Sequence, residues 1–376
     1  MRVLNDVGAS VVLKLHDASA DYVVAEAMLN VEATLNSLSI EMIDILEPAL
    51  KRWREDDRVA CVLLTGAGDR ALCAGGDIQA LYRAMSKNHE AGRIVDDYPF
   101  RFFEREYRLD YLIHTYPKPV VALGHGVVMG GGLGIFSASQ HRIVTERSRI
   151  AFPEVTIGLF PDAGGTWMLR NLAQGVAMFL GCTGSHINGA DAIEIGVATA
   201  SVAGDARDSV LMALQDVEYT GGRTDASRIE ASLRDLPQPV LPDAQVSLIP
   251  QSMGVDGAYV EVCNRINALA GTSAWVDKGI ETMRTGCPTS IGVVIEQLRR
   301  APKLELADCF RLEMTVATHC ARFEDFAEGV RTLLFDKDKQ PRWRYGDMAG
   351  LDPAHVIEHF SPPWTNNPLE NLESTT

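Results

Sequence analysis

Short apolar runs alternate with longer amphipathic stretches along the first part of the chain. Residues 11–15, 23–29 and 59–64 are rich in valine, leucine and alanine, and the third run contains no polar side chain. An apolar run of this kind is typical of a strand buried on both faces in a parallel sheet. Residues 38–54 carry apolar side chains at helical spacing, and residues 119–124 repeat the buried-strand pattern. The alternation predicts an α/β fold.

The same alternation continues to about residue 204. Residues 78–115, 167–180 and 190–195 show helical character, whereas residues 143–145 and 150–152 fit short strands. The sequence therefore predicts one α/β core over residues 1–204.

The pattern changes after residue 204. Charged helical stretches are interrupted by Thr220-Gly221-Gly222 and by the proline-rich residues 236–242, which predicts a linker or variable segment at 205–245. Helical periodicity then returns and predicts a C-terminal helical region over 246–360. The remaining residues, 361–376, are polar and are expected to form a flexible tail. The helical stretches of the C-terminal region are 255–269, 275–284, 290–300 and 305–321.

The net charge limits the kinds of molecule that the protein is expected to bind. The 376 residues carry a formal net charge of −15 and are 46% hydrophobic, which supports a sizeable core and works against nonspecific binding to nucleic acid or anionic lipid. No apolar run approaches membrane-spanning length, and the first residues show neither an apolar signal segment nor an amphipathic leader. We expect a cytoplasmic protein that binds neither nucleic acid nor membrane.

Cysteine spacing argues against disulfides and zinc. The seven cysteines are scattered and never form a C-x-x-C pair, so we expect reduced and mostly buried thiols. No histidine pair has convincing metal-ligand spacing, and we expect no metal. His114, His125, His141 and His186 are given no catalytic role.

Two glycine clusters stand at the ends of predicted strands. The first is Cys73-Ala74-Gly75-Gly76-Asp77 and the second is Met129-Gly130-Gly131-Gly132-Leu133-Gly134. Either cluster alone is most simply a tight turn or a close packing contact. Two clusters from separate strand ends, however, can direct two backbone amides at one developing oxyanion. Carboxylates at Glu154 and Asp162 follow, so the parts suggest acyl-transfer chemistry.

A dinucleotide-binding loop is the competing interpretation of the first cluster. Residues 66–71 follow a strand and match G-x-G-x-x-A, but that motif requires a helix to begin at once. Gly75-Gly76 comes directly afterwards and would break such a helix. The sequence therefore disfavours a nicotinamide cofactor.

Taken together, these motifs resemble the crotonase (enoyl-CoA hydratase/isomerase) superfamily, in particular its 3-hydroxyisobutyryl-CoA hydrolase branch. The resemblance is carried by the two glycine clusters, by PEVTIGLFPD at 153–162, and by C-terminal matches at 287–290, 326–331 and 336–343. It implies a crotonase-like ββα spiral core with a C-terminal helical region. It also implies hydrolysis of a short-chain 3-hydroxyacyl-CoA in valine catabolism, with no cofactor beyond the CoA of the substrate, and homo-oligomers are common in the superfamily.

The resemblance also assigns residues to roles. It implies that the amides of Gly76 and Gly131 form the oxyanion hole, and that Glu154 acts as nucleophile or general base, two routes that the sequence leaves open. Asp162 would orient the substrate 3-hydroxyl or a water, although a carboxylate before a helix is also a natural N-cap. Burial should raise the pKa of Glu154, and an adjacent helix N-terminus should lower that of Asp162. Gly134 stands where a hydratase keeps a glutamate, so hydration is disfavoured.

Contacts to CoA are the least defined part. The turn at residues 30–38 lacks the positive charge that family members often carry there, and Glu32 adds a negative one. Compensating charge is expected from a basic set near the C-terminus, and Ala74 and Asp77 are further candidate substrate contacts. The basic set comprises Arg331, Lys337, Lys339 and Arg342.

Two other functions stay open. An enoyl-CoA isomerase needs the same oxyanion hole and only one carboxylate, and a catalytically silent paralogue would serve as a binding module. Asp162 and the C-terminal matches favour the hydrolase, and no G-x-S-x-G supports a serine hydrolase.

Overall fold

A computed structural model describes residues 1–204, 207–221, 225–337 and 340–373. Its strands are β1 (Arg2–Val3), β2 (Val11–Asp17), β3 (Val23–Leu29), β4 (Val59–Gly66), β5 (Ala71–Cys73), β6 (Val120–Gly124), β7 (Val127–Met129), β8 (His141–Val144), β9 (Arg149–Ala151) and β10 (Ala200–Ser201). The first helices are α1 (Ile40–Glu55), α2 (Ile78–Ala91), α3 (Tyr98–His114), α4 (Gly131–Ala138), α5 (Gly165–Arg170), α6 (Gln174–Thr183) and α7 (Gly189–Glu194). The later ones are α8 (Arg207–Gln215), α9 (Ala226–Arg234), α10 (Tyr259–Asn267), α11 (Ala274–Thr285), α12 (Pro288–Arg300), α13 (Leu306–Arg322), α14 (Glu324–Val330) and α15 (Pro353–Glu358).

Two compact units divide these elements. The first consists of Met1–Gly76, Leu109–Ile150 and Ile187–Ala244, and the second of Asp77–Arg108, Ala151–His186 and the chain from Gln245 onward. The predicted division into a core at 1–204 and a later helical region therefore differs from the observed one. The chain passes from one unit to the other several times, which composition along the sequence does not reveal.

The first unit contains a mixed sheet with the strand order β1-β2-β3-β4-β6-β8-β10 among the described residues. β2 and β3 form an antiparallel pair, and β3, β4, β6, β8 and β10 are joined in parallel. All eight residues of β4 are buried, as its apolar run predicts. A smaller sheet has the order β5-β7-β9. The α/β prediction is confirmed.

The predicted linker at 205–245 contains helices instead. Val210 and Leu214 of α8 and Ile229 and Leu233 of α9 lie in one apolar cluster with sheet residues such as Leu63. Their side chains follow the helical period, and burial of that face stabilises the segment on the sheet. The prolines at 237, 239 and 242 come after α9, so they end the helical segment rather than define a linker.

The second unit is largely helical in its described part. α12 is buried along most of its length and packs against α6 and α15, and α2 packs against α13 and α14. The predicted flexible tail differs from the structure over its described part, residues 361–373, because Leu369 and Leu372 are buried. Residues 374–376 of that tail lie outside the described residues. Arg311 of α13 donates hydrogen bonds to the carbonyl oxygens of Leu369 and Glu370, at 3.2 Å each, which holds this segment in place.

Further sequence expectations can be compared with the structure. All seven cysteines are buried free thiols. No helix opens at residues 66–71, where β4 ends and β5 begins, so the dinucleotide-loop interpretation is wrong. Within the described residues, no helix is long and apolar enough to cross a bilayer.

Candidate active site

The two glycine clusters follow neighbouring strands of the small sheet. β5 and β7 pair in parallel, with Cys73 opposite Val128, so their carboxyl ends lie at the same edge. Gly75 has φ +110°, which disfavours a residue with a side chain. A Cβ placed on Gly75 would lie 3.5 Å from the carbonyl oxygen of Met129, so the clusters are in van der Waals range. The first unit thus brings the two clusters together.

Two backbone amides at this edge are available to a ligand. Gly131 is the first residue of α4, and an amide in that position precedes the intrahelical hydrogen bonds and carries the positive end of the helix dipole. The amide of Gly76 has no hydrogen-bond acceptor within the described residues. The amide of Ala74, by contrast, donates to the carbonyl oxygen of Leu35 at 3.0 Å. The geometry therefore supports the amides of Gly76 and Gly131 as hydrogen-bond donors to an anion. The amide of Ala74 is already used in a hydrogen bond within the protein.

Gly134 lies within α4 and is buried. Its amide donates to the carbonyl oxygen of Gly130 at 3.0 Å, as an ordinary helical residue. Position 134 consequently supplies neither a free amide nor a carboxylate.

Glu154 belongs to the second unit. It lies in the short 3-10 helix Pro153–Thr156, where the proline occupies the first turn and leaves no unpaired amide of its own. Its side chain is 3% exposed, and Oε2 has no hydrogen-bond partner in the described part of the chain. Burial, helped by the nearby charge of Asp162, raises the pKa of Glu154 well above its usual range. The predicted direction is confirmed.

Asp162 lies in the segment before α5 and is 8% exposed. The hydroxyl of Tyr107, from α3, donates to Oδ2 at 2.6 Å. Burial raises the pKa of Asp162 to about 6, against the opposing effect of this hydrogen bond. The predicted lowering by a helix N-terminus is wrong, because α5 has Gly164 at its N-cap and takes no side-chain cap. Asp162 is therefore not an N-cap.

A second buried glutamate on α3 was not identified from the sequence. Glu106 precedes Tyr107 and is buried with it, and Glu106 Oε1 lacks a hydrogen-bond partner among the described residues. Burial, and then the charges of Asp162, Glu313 and Glu154, raise its pKa well above the usual range. The available signal was its position on the apolar face of α3, four residues after Phe102 and three after Phe103.

A fourth carboxyl comes from α13. Glu313 is fully buried, with Oε2 accepting from the amide of Gly164 and Oε1 from that of Thr166, both at 2.8 Å. Burial raises its pKa to about 8 despite these hydrogen bonds. We refer to Glu106, Glu154, Asp162 and Glu313 as the carboxyl cluster. Buried carboxyls with raised pKa values are suited to nucleophilic and general acid–base catalysis.

The candidate CoA contacts have other partners. Asp77 accepts from the amide of Ala80 at 3.1 Å and caps α2. Arg331 forms ion pairs with Glu328, at 2.8 Å, and with Asp336, so its charge is balanced within the chain. Lys337 is exposed, and Lys339 lies outside the described residues. Within the described residues, no group of three or more His, Cys, Asp or Glu side chains could hold a metal ion.

Comparison with known proteins extends the picture over nearly the whole chain. Residues 24–360 match the family described as enoyl-CoA hydratase/isomerase. A mitochondrial 3-hydroxyisobutyryl-CoA hydrolase of Danio rerio is 35% identical over 338 residues, covering 89% of this chain and 86% of that protein. A carnitinyl-CoA dehydratase structure from Mycobacterium thermoresistibile has a TM-score of 0.81 at 30% identity, covering 96% of this chain and 99% of that one. An enoyl-CoA hydratase structure from Rhodobacter sphaeroides 2.4.1 gives 0.78 at 29% identity, covering 93% and 97%.

Proposed function

Because this chain belongs to the enoyl-CoA hydratase/isomerase family, we propose that it is an acyl-CoA thioester hydrolase acting on a short-chain 3-hydroxyacyl-CoA. The name of the 35% identical relative points to 3-hydroxyisobutyryl-CoA as the substrate. The observation that carries the proposal is the side chain of Asp162. It is buried, it accepts a hydrogen bond from Tyr107, and its charge raises the pKa of Glu154, whereas it does not cap α5.

The proposal assigns a step to each group. The amides of Gly76 and Gly131 stabilise the negative charge that gathers on the thioester oxygen. In one route a Glu154 carboxylate oxygen attacks the carbonyl carbon, the C–S bond breaks, CoA leaves as the thiolate, and water then hydrolyses the acyl–Glu154 anhydride. In the other route Glu154 takes a proton from a water that attacks the same carbon, and the C–S bond then breaks to release the acid and the CoA thiolate. Asp162 accepts a hydrogen bond from the substrate 3-hydroxyl.

An isomerase or hydratase is the alternative within the family, and the two solved structures carry dehydratase and hydratase names. The observation against a two-glutamate hydratase is Gly134, which supplies no carboxylate from α4. The unpaired Oε2 of Glu154 disfavours a catalytically silent binding module. A buried carboxyl oxygen without a hydrogen bond destabilises the fold, and a protein without catalytic activity would have no use for it.

Release of free CoA thiol tests the proposal. The purified protein is incubated with 3-hydroxyisobutyryl-CoA, 3-hydroxypropionyl-CoA and an enoyl-CoA, and thiol and double-bond signals are followed together. Thiol release from the 3-hydroxyacyl substrates is the expected result. Movement or hydration of the double bond without thiol release would identify an isomerase or hydratase, and silence across the panel would support the binding module.

Asp162→Asn tests the role of the second acid. We expect kcat/KM for 3-hydroxyisobutyryl-CoA to fall about 10- to 100-fold, because a hydrogen bond from a neutral donor to a charged group contributes roughly 1.5–3 kcal/mol. Isobutyryl-CoA, which lacks the 3-hydroxyl, is the matched control substrate and should lose far less. In the wild-type enzyme the rate should decline as the pH falls, because burial raises the pKa of Asp162 to about 6 and that of Glu154 well above its usual range, and each acts in its ionised form. Equal losses on both substrates would remove the hydroxyl-binding role.

Three attributes remain predictions. A homo-oligomer, a cytoplasmic location and the absence of any cofactor beyond substrate CoA are each expected from the sequence. Mass measurement of the native protein would test the first of them.

A further inference from the structure

The turn that carries Asp162 has an unfavourable backbone. The amide of Gly165 donates to the carbonyl oxygen of Asp162 at 2.8 Å, which closes a four-residue turn. Its two central residues, Ala163 and Gly164, have φ values of +53° and +84°. Glycine adopts this left-handed region freely, whereas alanine does so at a steric cost. Ala163 therefore holds its conformation only if surrounding groups enforce it.

Two buried side chains from the C-terminal helices enforce it. Glu313 of α13 accepts from the amides of Gly164 and Thr166, at 2.8 Å each. Gln297 of α12 donates to the carbonyl oxygen of Pro161 at 2.6 Å and to Thr166 Oγ1 at 2.7 Å. Both side chains are fully buried. Gln297 thus contacts both sides of the turn, and Glu313 holds its carboxyl-terminal side.

Because of these contacts, Asp162 is not needed as the acceptor for the first amides of α5. Amides at the start of α5 need an acceptor, and the residue in the natural place to provide one is a nearby Asp. Here the acceptor is Glu313, about 150 residues further along the chain, and Asp162 keeps its carboxylate for Tyr107.

We propose that Glu313 is a positioning residue for catalysis: it replaces Asp162 as the cap of α5 and fixes the left-handed turn that presents the Asp162 carboxylate. Gln297 supports the same turn. The inference rests on the proposed hydrolase function, and it adds a residue that touches neither substrate nor reacting atoms.

The chemistry of Glu313 supports positioning over simple packing. An apolar side chain of similar size would fill the space without adding a charge. Burial instead raises the pKa of Glu313 to about 8, so a polar group is kept here at a cost in desolvation that an apolar side chain would not carry. In that position Glu313 accepts hydrogen bonds from two amides, those of Gly164 and Thr166.

Glu313→Gln is the direct test. The amide keeps the shape but has one acceptor oxygen, so either Gly164 or Thr166 loses its partner. We expect kcat for 3-hydroxyisobutyryl-CoA to fall about 10- to 100-fold with KM within about twofold, as for small misplacements of a catalytic group. Hydrogen exchange at the amides of Gly164 and Thr166 should accelerate. Gln297→Met, which removes the contacts to Pro161 and Thr166, should show a smaller loss of the same kind.

Rescue separates positioning from general destabilisation. Ala163→Gly lowers the backbone cost of the turn, so adding it to Glu313→Gln should restore part of the lost kcat. Glu26→Gln is the matched control, since Glu26 is a buried glutamate of the first unit that accepts from Thr65 at 2.9 Å. It should lower the melting temperature and leave kcat unchanged.

The kcat and the amide exchange of these variants decide the proposal. Wild-type kcat in Glu313→Gln would overturn the proposal, with or without faster amide exchange, and so would a loss of kcat that Ala163→Gly does not relieve. If Glu313→Gln does not fold, Gln297→Met with and without Ala163→Gly decides by the same criteria. If the wild-type protein releases no thiol from any substrate, the proposed function is wrong, and amide exchange alone then decides whether Glu313 holds the turn.

Discussion

Glu154→Gln is expected to lower kcat for 3-hydroxyisobutyryl-CoA by about three to four orders of magnitude, with KM changed less than about threefold. Glutamine has nearly the same shape and fills the same buried space, so the fold and substrate binding should persist. Glutamine can neither attack the thioester carbonyl nor accept a proton from water at neutral pH. Loss of such a catalytic group typically lowers the rate by about 10²–10⁴-fold. The measurement is thiol release under saturating substrate.

The control is Glu26→Gln, which neutralises a buried glutamate of the first unit. It should retain kcat. A Glu154→Gln enzyme with more than about a tenth of wild-type kcat would contradict the assignment of Glu154 as nucleophile or base. Label found in the Glu154 carboxylate after a single turnover of the wild-type enzyme in ¹⁸O-labelled water would identify the anhydride route, because it arises only when water attacks the Glu154 carbonyl carbon of the anhydride.

Gly131→Val is expected to reduce kcat about 1000-fold or more while the protein stays folded. Valine keeps the backbone N–H at position 131, but its branched side chain obstructs the approach of the thioester oxygen to that amide. Loss of the interaction with one oxyanion donor typically costs about 10²–10³-fold. The φ of Gly131 is not among the positive values, so its backbone accepts a side chain without strain. Turnover and thermal unfolding of the variant are measured side by side.

Gly132→Ala is the contrasting control for the second glycine cluster. A Cβ on Gly132 would overlap the carbonyl oxygen of Cys73, so this change should lower the melting temperature by separating α4 from β5. Gly131→Val with wild-type turnover would remove Gly131 from the oxyanion hole. Gly131→Val that melts as early as Gly132→Ala would indicate a packing role instead.

The chain reveals local features of the site better than distant ones. The glycine clusters and Glu154 could be predicted because each follows a strand or lies in a compact motif, and β4 could be predicted from its uninterrupted apolar run. The environment of Asp162 could not be predicted. The pKa of Asp162 depends on its burial, and burial is decided by residues far away in the chain.

Glu313 and the segment at 205–245 show two reasons for the remaining failures. A cap supplied from α13 to α5 leaves no trace in the sequence near α5, where Asp162 is the natural candidate. The helices α8 and α9 did leave a trace, in the helical spacing of Val210 and Leu214 and of Ile229 and Leu233. The glycines and prolines around them led to the linker prediction, since local turn signals do not report tertiary packing.

The burial of all seven cysteines affects how thiol release and unfolding can be assayed for this protein. Thiol reagents react with the thiolate, and burial raises the pKa of Cys61, Cys263 and Cys309 to about 12. A chromogenic disulfide can therefore remain in the reaction mixture, where it reports each CoA released above a slow enzyme background. Unfolding exposes the whole set at once, so the same reagent also counts unfolded molecules. One absorbance trace can distinguish an inactive variant that is intact from one that has lost its fold.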